Sequence, residues 1–512
     1  MALQRTYSSS RHSLGLYKNV ITVCRYALPA GSDEAQVKAS IRQALTTVVL
    51  EKLPTLRVGI EGEDTKKPVF VALPSLDLRE HLEWVARTPE TEDAQLIRDL
   101  ERENARPWLD VATHSPWRVI VYLNTAAGWA DVAFAVHHAL GDGRSGVAFH
   151  SHLVQTLNSQ ASSSSTSLPA EVHGGDDDEK EQILSFTELP AITPPQEQLI
   201  KFTISWLFFI AILWREFAPA WLQRAPPKVQ PYVGKPISLE PKLTSKLRAF
   251  HLPPDQAAAL LAACRAHGVT MTGLVNGLMM VLYARRLPAD VAPALSCNMP
   301  ISLRPYVTKP ADRPDLDVDR SMANLVASYH HTFDAAAVAD GRTVAATDAE
   351  DDEKVWRAAA ALGGALKAHL ATATKDCDMG LMDWVSDWHE WWRKQEGKAR
   401  DATWSISNTG SIPATGDAPA AAAAAAAAEG GGETLPQWKI TRHFFTHSIL
   451  GADALLDMTM SGVRGGDVSV TVAWHHGATE DEFAEQFVED LQACLERLAT
   501  SGHFAVPNHL SK

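Results

Sequence analysis

The chain has 512 residues, too many for one ordinary hydrophobic core and enough for two large lobes. Its composition, 46% hydrophobic and 21% charged, is typical of a globular protein and excludes a disordered or fibrous one. The formal net charge of −14, from 61 acidic and 47 basic residues, disfavours nucleic acid as a partner. A local basic pocket for a phosphorylated co-substrate stays compatible with that charge.

The cysteines and the first residues both favour a reducing environment. The five cysteines are odd in number and widely spaced, and no CxxC occurs, so neither a disulfide framework nor a zinc site is predicted. The first stretch, MALQRTYSSSRHSLGLYKN, has no apolar segment of the kind that a secretory signal needs. We therefore expect a cytoplasmic location.

Strand and helix patterns alternate through the first 158 residues. Strands are predicted at YKNVITVCRYALP, LRVGIEGED, PVFVAL, PWRVIVYLN and ADVAFAVHH. Helices are predicted at DEAQVKASIRQALTTVVLEKLPTL, at TEDAQLIRDLERENAR and from about Ser145 to Leu157. The segment 1–158 is therefore predicted to be an N-terminal lobe in which helices flank a sheet.

Residues 159–237 are predicted to link this lobe to the next. The segment starts with the Ser-rich and then acidic stretch SQASSSSTSLPAEVHGGDDDEKE, which is typical of a loop. Within the stretch 202–222, the uninterrupted apolar run ends at Trp214, before Arg215 and Glu216, and is too short for a spanning helix, which needs about 20 apolar residues. Two interpretations stay open, a buried or lobe-covering helix and an interfacial helix on a membrane. The scarcity of Lys and Arg on its polar face favours the first.

The segment 238–512 is predicted to be the C-terminal lobe. PDQAAALLAACRAHGVTMTGLVNGLMMVLYARRL predicts two helices with a break near Gly268, and EDEFAEQFVEDLQACLERLA predicts a last helix. Strands are predicted at ALSCNMPISL, MANLVASYHHTF, ATWSISNTG, DALLDMTMSGV and DVSVTVAWHH. The low-complexity, alanine-rich stretch 411–434 has no amphipathic face and is predicted to be a surface loop.

The stretch AVHHALGDGRSGVAFH carries the strongest chemical signal. The chain has 20 histidines and three adjacent pairs, where chance gives about 0.8 pairs. Only the pair His137-His138 is followed by an aspartate four residues later and then by glycine, a pattern expected roughly 0.003 times per chain. The pair ends a strand that is apolar on both faces, so each imidazole lies at the end of a sheet that is largely shielded from water. A neutral ring in such a place can act as a general base.

The residues after the histidine pair are expected to form a tight turn. Gly141 and Gly143 allow positive φ angles, and Asp142 points back beneath the end of the strand. There Asp142 either accepts a hydrogen bond from an imidazole or pairs with an arginine. A metal site is not predicted, because these residues straddle a turn and no third ligand has suitable spacing. A purely structural histidine pair is the alternative without chemistry.

The stretch HHALGDG resembles the HHxxxDG motif of the chloramphenicol acetyltransferase-like, CoA-dependent acyltransferases. Within that superfamily the chain resembles the fungal alcohol acetyltransferases, in LGLYKNVITVCRYALP, SPWRVIVY, CRAHGVTMTGLVNGLMMVLYARRL, NMPISLRPY and WSISNTGSI. The resemblance implies an α/β fold of two lobes, each a mixed β-sheet flanked by helices, with the active-site tunnel between them. It implies acetyl-CoA or another acyl-CoA as co-substrate, no permanently bound cofactor, an alcohol or amine as acceptor, and a monomer.

The resemblance also implies roles for the motif residues. His138 matches the histidine that takes the proton of the acceptor hydroxyl, and His137 matches the first histidine, which is mostly structural. Asp142 matches the aspartate that orders the loop by a salt bridge to an arginine, and Arg304 in PISLRPY is the expected partner. Gly143 gives the turn room.

The oxyanion donor and the residues that hold CoA are less well defined by the sequence. Ser407 and Asn408 are candidates for the donor, because SISNTG resembles a block of the family near the tunnel. Thr409 departs from the leucine that is usual there, and a strand-ending turn is the alternative. Thr272 either lines the tunnel or caps a helix. The residues that bind the CoA phosphates are not predicted.

Three alternatives to acetyl transfer stay open. They are a longer-chain acyltransferase of the wax ester or acylglycerol type, a non-catalytic protein on the same scaffold, and a condensation-domain-like protein. The sequence contains no GxSxG elbow and no plausible nucleophilic cysteine, which argues against a hydrolase with a covalent intermediate.

Overall fold

A computed structural model of the chain describes residues 3–88, 93–163, 182–217, 229–240, 245–416, 438–449 and 451–510. The strands in this part, numbered in chain order, are β1 Val20–Ala27, β2 Val58–Glu61, β3 Val69–Ala72, β4 Ser75–Asp77, β5 Leu82–Ala86, β6 Trp117–Asn124, β7 Trp129–Val136, β8 Ile183–Ser185, β9 Ser245–Leu252, β10 Leu295–Ser302, β11 Val326–Phe333, β12 Trp404–Ile412, β13 Lys439–His447, β14 Leu456–Val463 and β15 Val468–His475. The α-helices are α1 Leu3–Ser13, α2 Glu34–Thr47, α3 Leu78–His81, α4 Asp93–Ala105, α5 Gly143–Ser163, α6 Gln196–Leu199, α7 Trp206–Phe217, α8 Pro254–Ala266, α9 Met271–Ala284, α10 Ala335–Arg342, α11 Asp348–Leu370, α12 Trp388–Arg393 and α13 Asp481–Ser501.

The first sheet has the strand order β13-β1-β7-β6-β5. Its pairs are antiparallel except β5 with β6, which are parallel. On the central strand β1, Val20 faces His447 of β13 on one side and Val136 of β7 on the other. Because β7 ends at Val136, the histidine pair that follows lies at the same end of the strands as His447.

The strand β13 belongs in sequence to the segment predicted as the C-terminal lobe, yet it completes the sheet of the N-terminal lobe. The C-terminal segment therefore contributes one strand to the first sheet, and a cut in the linker 159–237 does not separate the sheets. This strand brings a residue from far along the chain, His447, to the end of the first sheet that carries the histidine motif.

The second sheet has the order β11-β10-β12-β14-β15-β9. The pairs β10–β12 and β12–β14 are parallel, and the others are antiparallel. The helix α9 is buried along almost all of its length in the core of this lobe. Helices flank both sheets, and the expected α/β fold of two lobes is confirmed.

The linker differs from the expectation of a buried helix. The helix α7 begins at Trp206, and it leaves Trp206 78% and Leu207 83% exposed. Exposure of this size does not fit a helix that covers a lobe. The residues 164–181 of the Ser-rich and acidic stretch and residues 417–434 of the alanine-rich stretch lie outside the described residues. The first two residues of the alanine-rich stretch, Ser411 and Ile412, belong to β12 and not to a loop.

Membrane-spanning segments were sought among the described helices. None of them alone is both long enough and apolar enough to cross a bilayer. The helices α8 and α9 pass by length and composition only when taken together, with a bend of 88° between them.

Candidate active site

The histidine motif lies where β7 passes into α5. Asp142 is the residue before the helix, and its carboxylate accepts a hydrogen bond from the backbone N–H of Ser145 at 3.0 Å. An aspartate at this position accepts a hydrogen bond from a backbone N–H that has no partner within the first helical turn. Its negative charge also interacts favourably with the positive end of the helix dipole. The local sequence GDGRS therefore both starts the helix and holds the carboxylate of Asp142 in place.

The carboxylate of Asp142 forms the expected ion pair with Arg304. Nη1 and Nη2 of Arg304 donate to the two carboxylate oxygens at 2.8 and 2.9 Å, and both side chains are buried. Burial by itself raises the pKa of Asp142, but the charge and hydrogen bonds of Arg304 lower it below its usual value. Asp142 is therefore an anion that holds the second lobe against the motif.

The same carboxylate also fixes the loop before β11. It accepts from the backbone N–H of Leu325 at 3.1 Å, and Ser145 Oγ donates to the carbonyl of Ala323 at 2.9 Å. Asn324 lies between these two anchors, and its Nδ2 donates to the backbone carbonyl of His138 at 2.9 Å. Nδ2 also lies 3.3 Å from Nδ1 of the His138 ring. Asp142 thus acts on His138 through Asn324 and does not contact it.

His138 is partly exposed, whereas His137 beside it is buried. Desolvation and the positive charge of Arg11 lower the pKa of His138 to about 3. A hydrogen bond of the ring to its own backbone carbonyl and the charge of Asp142 act in the opposite direction and are weaker. The imidazole is therefore neutral at ordinary pH, the form that a general base requires.

His137 is held by a carboxylate that the sequence analysis missed. Its Nε2 donates to Glu63 at 2.9 Å, while its Nδ1 accepts from the backbone N–H of Ala139. The other oxygen of Glu63 accepts from Nδ1 of His12 at 2.9 Å. Burial raises the pKa of Glu63, but the hydrogen bonds from the two histidines bring it well below its usual value. This clamp ties α1 and the loop after β2 to the motif.

The cluster His12, Glu63 and His137 has the residue types of a metal site. The second nitrogen of each ring, however, accepts a backbone N–H, from Trp108 for His12 and from Ala139 for His137. A metal-bound neutral imidazole carries its proton on that second nitrogen and donates from it. The hydrogen-bond directions therefore favour a histidine–glutamate clamp over a metal centre.

A second histidine faces the motif from β13. His447 lies 3.5 Å from a carboxylate oxygen of Asp457 and donates from Nδ1 to the carbonyl of Ser448. Burial lowers the pKa of His447, but Asp457 more than compensates and raises it to about 9. Tyr17 stacks on His447 with ring centroids 5.7 Å apart and lies 5.4 Å from the ring of His138. The site thus contains a neutral histidine, His138, and a protonated one, His447, and the ring of Tyr17 contacts both.

The glycines of the motif are required for a different reason from the one expected. Neither Gly141 nor Gly143 has a positive φ angle, so that expectation is wrong. A Cβ on Gly143 would lie 2.7 Å from the ring of Phe445 and 2.9 Å from Thr409. Gly143 therefore gives room for strands β12 and β13 to approach the start of the helix.

The oxyanion candidates lie on the second lobe. Nδ2 of Asn408 donates to Oγ1 of Thr272 at 3.0 Å, so these two contact each other. Thr272 is in the first turn of α9, and Thr270 caps that helix. Ser407 is partly buried on β12. Among the described residues, no hydrogen bond joins Ser407, Asn408 or Thr272 to His138.

Two cavities open on the surface away from the motif. One of about 250 Å³ lies between Gln36 and Trp438, and one of about 210 Å³ lies beside His81. His138 lines neither of them, so the tunnel between the lobes stays a prediction.

The comparisons with known proteins agree with this architecture. The alcohol acetyltransferase family model matches residues 104–412. A probable alcohol acetyltransferase, FCK4 of Fusarium pseudograminearum, is 27% identical over 98% of this chain and 95% of its own. Another, crmB of Aspergillus fumigatus, is 25% identical over 93% of this chain and 94% of its own.

Solved structures share the fold at low sequence identity. The trichothecene 15-O-acetyltransferase TRI3 of Fusarium sporotrichioides is 11% identical with a TM-score of 0.66, over 97% of this chain and 93% of that one. The first condensation domain of the CDA synthetase is 13% identical with a TM-score of 0.59, over 97% and 95%. These structures share the two-lobed fold of this chain. Because the family model spans more than half of the sequence, the chain belongs to the alcohol acetyltransferase family, and it is an acyltransferase.

Proposed function

We propose that the protein transfers the acetyl group of acetyl-CoA to the hydroxyl of an alcohol, with His138 as the general base. The observation that supports this most is the state of His138, a neutral and partly exposed imidazole at the junction of the two sheets. Asn324 holds the backbone carbonyl of His138 and lies beside Nδ1 of the ring, and the residue stays partly exposed.

The proposed reaction is a direct attack. His138 carries its proton on Nδ1, directed to its own carbonyl, and Nε2 takes the proton of the acceptor hydroxyl. The hydroxyl oxygen forms a bond to the thioester carbonyl carbon, and the resulting oxyanion collapses with cleavage of the carbon–sulfur bond. The proton on Nε2 then passes to the thiolate of CoA. No atom of the protein is acylated, which agrees with the lack of an activated nucleophile.

The surrounding residues contribute by holding the histidine motif in place. Asp142 and Arg304 hold the loop that carries Asn324, and Asn324 holds the carbonyl of His138. Glu63 holds His137 and so the first turn after the strand. Preorganisation of this kind lowers the cost of reaching the reactive geometry. We assign the oxyanion to Ser407, Asn408 or Thr272, on the lobe opposite His138.

We also propose a cytoplasmic protein that contacts membranes through α7. Trp206, Leu207, Ile210 and Trp214 are between 50% and 83% exposed, and their spacing places them on one side of the helix. Trp384, 69% exposed, extends this surface through its contact with Phe209. Tryptophans at the rim of an apolar surface are typical of the membrane interface.

The proposed reaction is tested by incubating the purified protein with labelled acetyl-CoA and a panel of alcohols and amines, scored by mass. Acetylated alcohols together with free CoA are expected. The intact mass of the protein after acetyl-CoA alone should not increase by an acetyl group. A stable acetyl adduct on the protein, or transfer only from long-chain acyl-CoA, would contradict the proposal.

A further inference from the structure

Arg11, on α1, is a buried cation that lacks an acidic partner. Only 7% of the residue is exposed, and its Nε is buried without a hydrogen bond. Nη2 lies 3.5 Å from the hydroxyl of Ser8. The rings of Tyr7 and Tyr17 cover the guanidinium at 4.6 and 4.5 Å. Among the described residues, no carboxylate oxygen lies within 4.0 Å of its nitrogens.

The other buried arginines of the described residues are partnered. Arg118, Arg285 and Arg304 each bind a carboxylate, of Glu103, Asp351 and Asp142. Arg5 and Arg400 donate to backbone carbonyls. Burying a charge without a partner costs several kcal/mol, so an exception needs a reason. Sites that violate a packing rule are often sites of function.

The position of Arg11 supplies that reason. Tyr17 contacts both Arg11 and His138, with the guanidinium carbon 4.5 Å from its ring centre and the histidine ring 5.4 Å away. The protonated His447 stacks on the same tyrosine. Of the two cations that contact Tyr17, His447 has a carboxylate, that of Asp457, within 4.0 Å, whereas the described residues give none to Arg11.

We propose that Arg11 binds an anionic group of the acceptor, so that the acceptor alcohol carries a carboxylate. This inference rests on the proposed function. The two tyrosine rings cover the faces of the guanidinium and Nε is closed, so the carboxylate meets the terminal nitrogens. In this proposal the acceptor extends along Tyr17, which contacts both groups, with its carboxylate on Arg11 and its hydroxyl directed to His138. Charge-assisted hydrogen bonds to arginine are strong and directional, which makes the carboxylate a determinant of specificity.

The test compares acids with their uncharged esters. The acceptors are para-(hydroxymethyl)benzoate and its methyl ester, which present the same hydroxyl, with acetyl-CoA as donor. The wild type is expected to prefer the acid in kcat/KM by about 10- to 100-fold. Arg11→Met should remove this preference, and Arg11→Lys should retain part of it. Arg5→Met, a buried arginine of the same helix, is the matched control and should keep the preference.

Three outcomes overturn the inference. A wild type with no preference for the acid does so, and so does an Arg11→Met variant that loses acid and ester turnover equally, because Arg11 then serves the reacting oxyanion. Where Arg11→Met does not fold, inhibition of the wild type decides. Benzoate should compete with the acceptor at least about 10-fold better than benzamide, and equal inhibition contradicts the subsite. If no alcohol at all is acetylated, the proposed function fails, and thermal stabilisation by benzoate over benzamide still tests Arg11.

Discussion

Replacing Asp142 by alanine removes the contact that joins the two lobes at the motif. The carboxylate accepts five hydrogen bonds, two from Arg304, two from Ser145 and one from Leu325. In the variant the guanidinium of Arg304 stays buried and keeps only backbone carbonyls, chiefly that of Val318. Breaking a buried ion pair by removing one partner costs about 3–5 kcal/mol. We expect the free energy of unfolding to fall by that amount.

The activity of the Asp142→Ala variant should fall as well, because the loop that carries Asn324 loses its anchor at Leu325. Denaturant unfolding followed by tryptophan fluorescence measures the stability, and release of free CoA measures turnover. The double variant Asp142→Ala, Arg304→Met removes both charges and should recover a large part of the lost stability without recovering activity.

Acid titration gives the sign of the electrostatic contribution. The pKa of Asp142 is lower in the folded than in the unfolded protein, so the ion pair stabilises above the unfolded pKa of about 3.9 and is lost as the pH falls below it. The variant Asp142→Asn should lack this component. An unchanged unfolding midpoint in Asp142→Ala would refute the reasoning.

Three further predictions concern neighbouring features. Because burial and Arg11 lower the pKa of His138 to about 3, kcat/KM should stay level from about pH 8 down to about pH 5, and a fall with a midpoint near 6.5 would contradict this. Glu63→Gln should lower the free energy of unfolding by about 1.5–3 kcal/mol, since it weakens charge-assisted hydrogen bonds from two histidines; an unchanged denaturation curve would count against the clamp. In flotation with uncharged vesicles, Trp206→Ser should reduce binding of the protein, whereas Leu189→Ser, at a comparably exposed site, should not. A doubled mass in sedimentation would contradict membrane contact and indicate that a second copy of the chain covers α7.

Much of the fold was predictable where the hydrophobic pattern is strong. The strand ADVAFAVHH and the following helix were expected within a few residues of β7 and α5. The break between α8 and α9 was placed at Gly268, which has a positive φ angle of 65°. In these segments apolar side chains point inward with a regular period, so local pattern and burial agree.

The helix α1 was missed because its inward face is polar. Arg11 and His12 are buried there with several serines, and pattern analysis counts such residues as exposed. The strand β13 was not predicted at all, and its pairing with β1, in which Val20 faces His447, joins segments so far apart along the chain that it leaves no local signal. Both elements bring charged or titratable groups to the site, so the sequence analysis missed functional residues together with the elements that carry them.

The ion pair formed by the motif was easier to predict than the residues that surround the motif. The pair of Asp142 with Arg304, which the resemblance to the family implied, is present, and the carboxylate lies at the start of a helix facing the other lobe. Glu63 and Asn324 lie in irregular segments without a motif, and their roles follow only from three-dimensional contacts. Only the close approach of β12 and β13 shows why position 143 must be glycine.

The account depends on a proton moved by one ring nitrogen, and turnover in the His138→Ala variant measures that dependence most directly. His476→Ala, in the other strand-ending histidine pair, is the matched control. With acetyl-CoA and an accepted alcohol, His138→Ala should lose at least about 100-fold in kcat while circular dichroism and the unfolding curve stay close to those of the wild type, and His476→Ala should keep its rate. A folded His138→Ala protein that releases CoA at the wild-type rate would contradict the account.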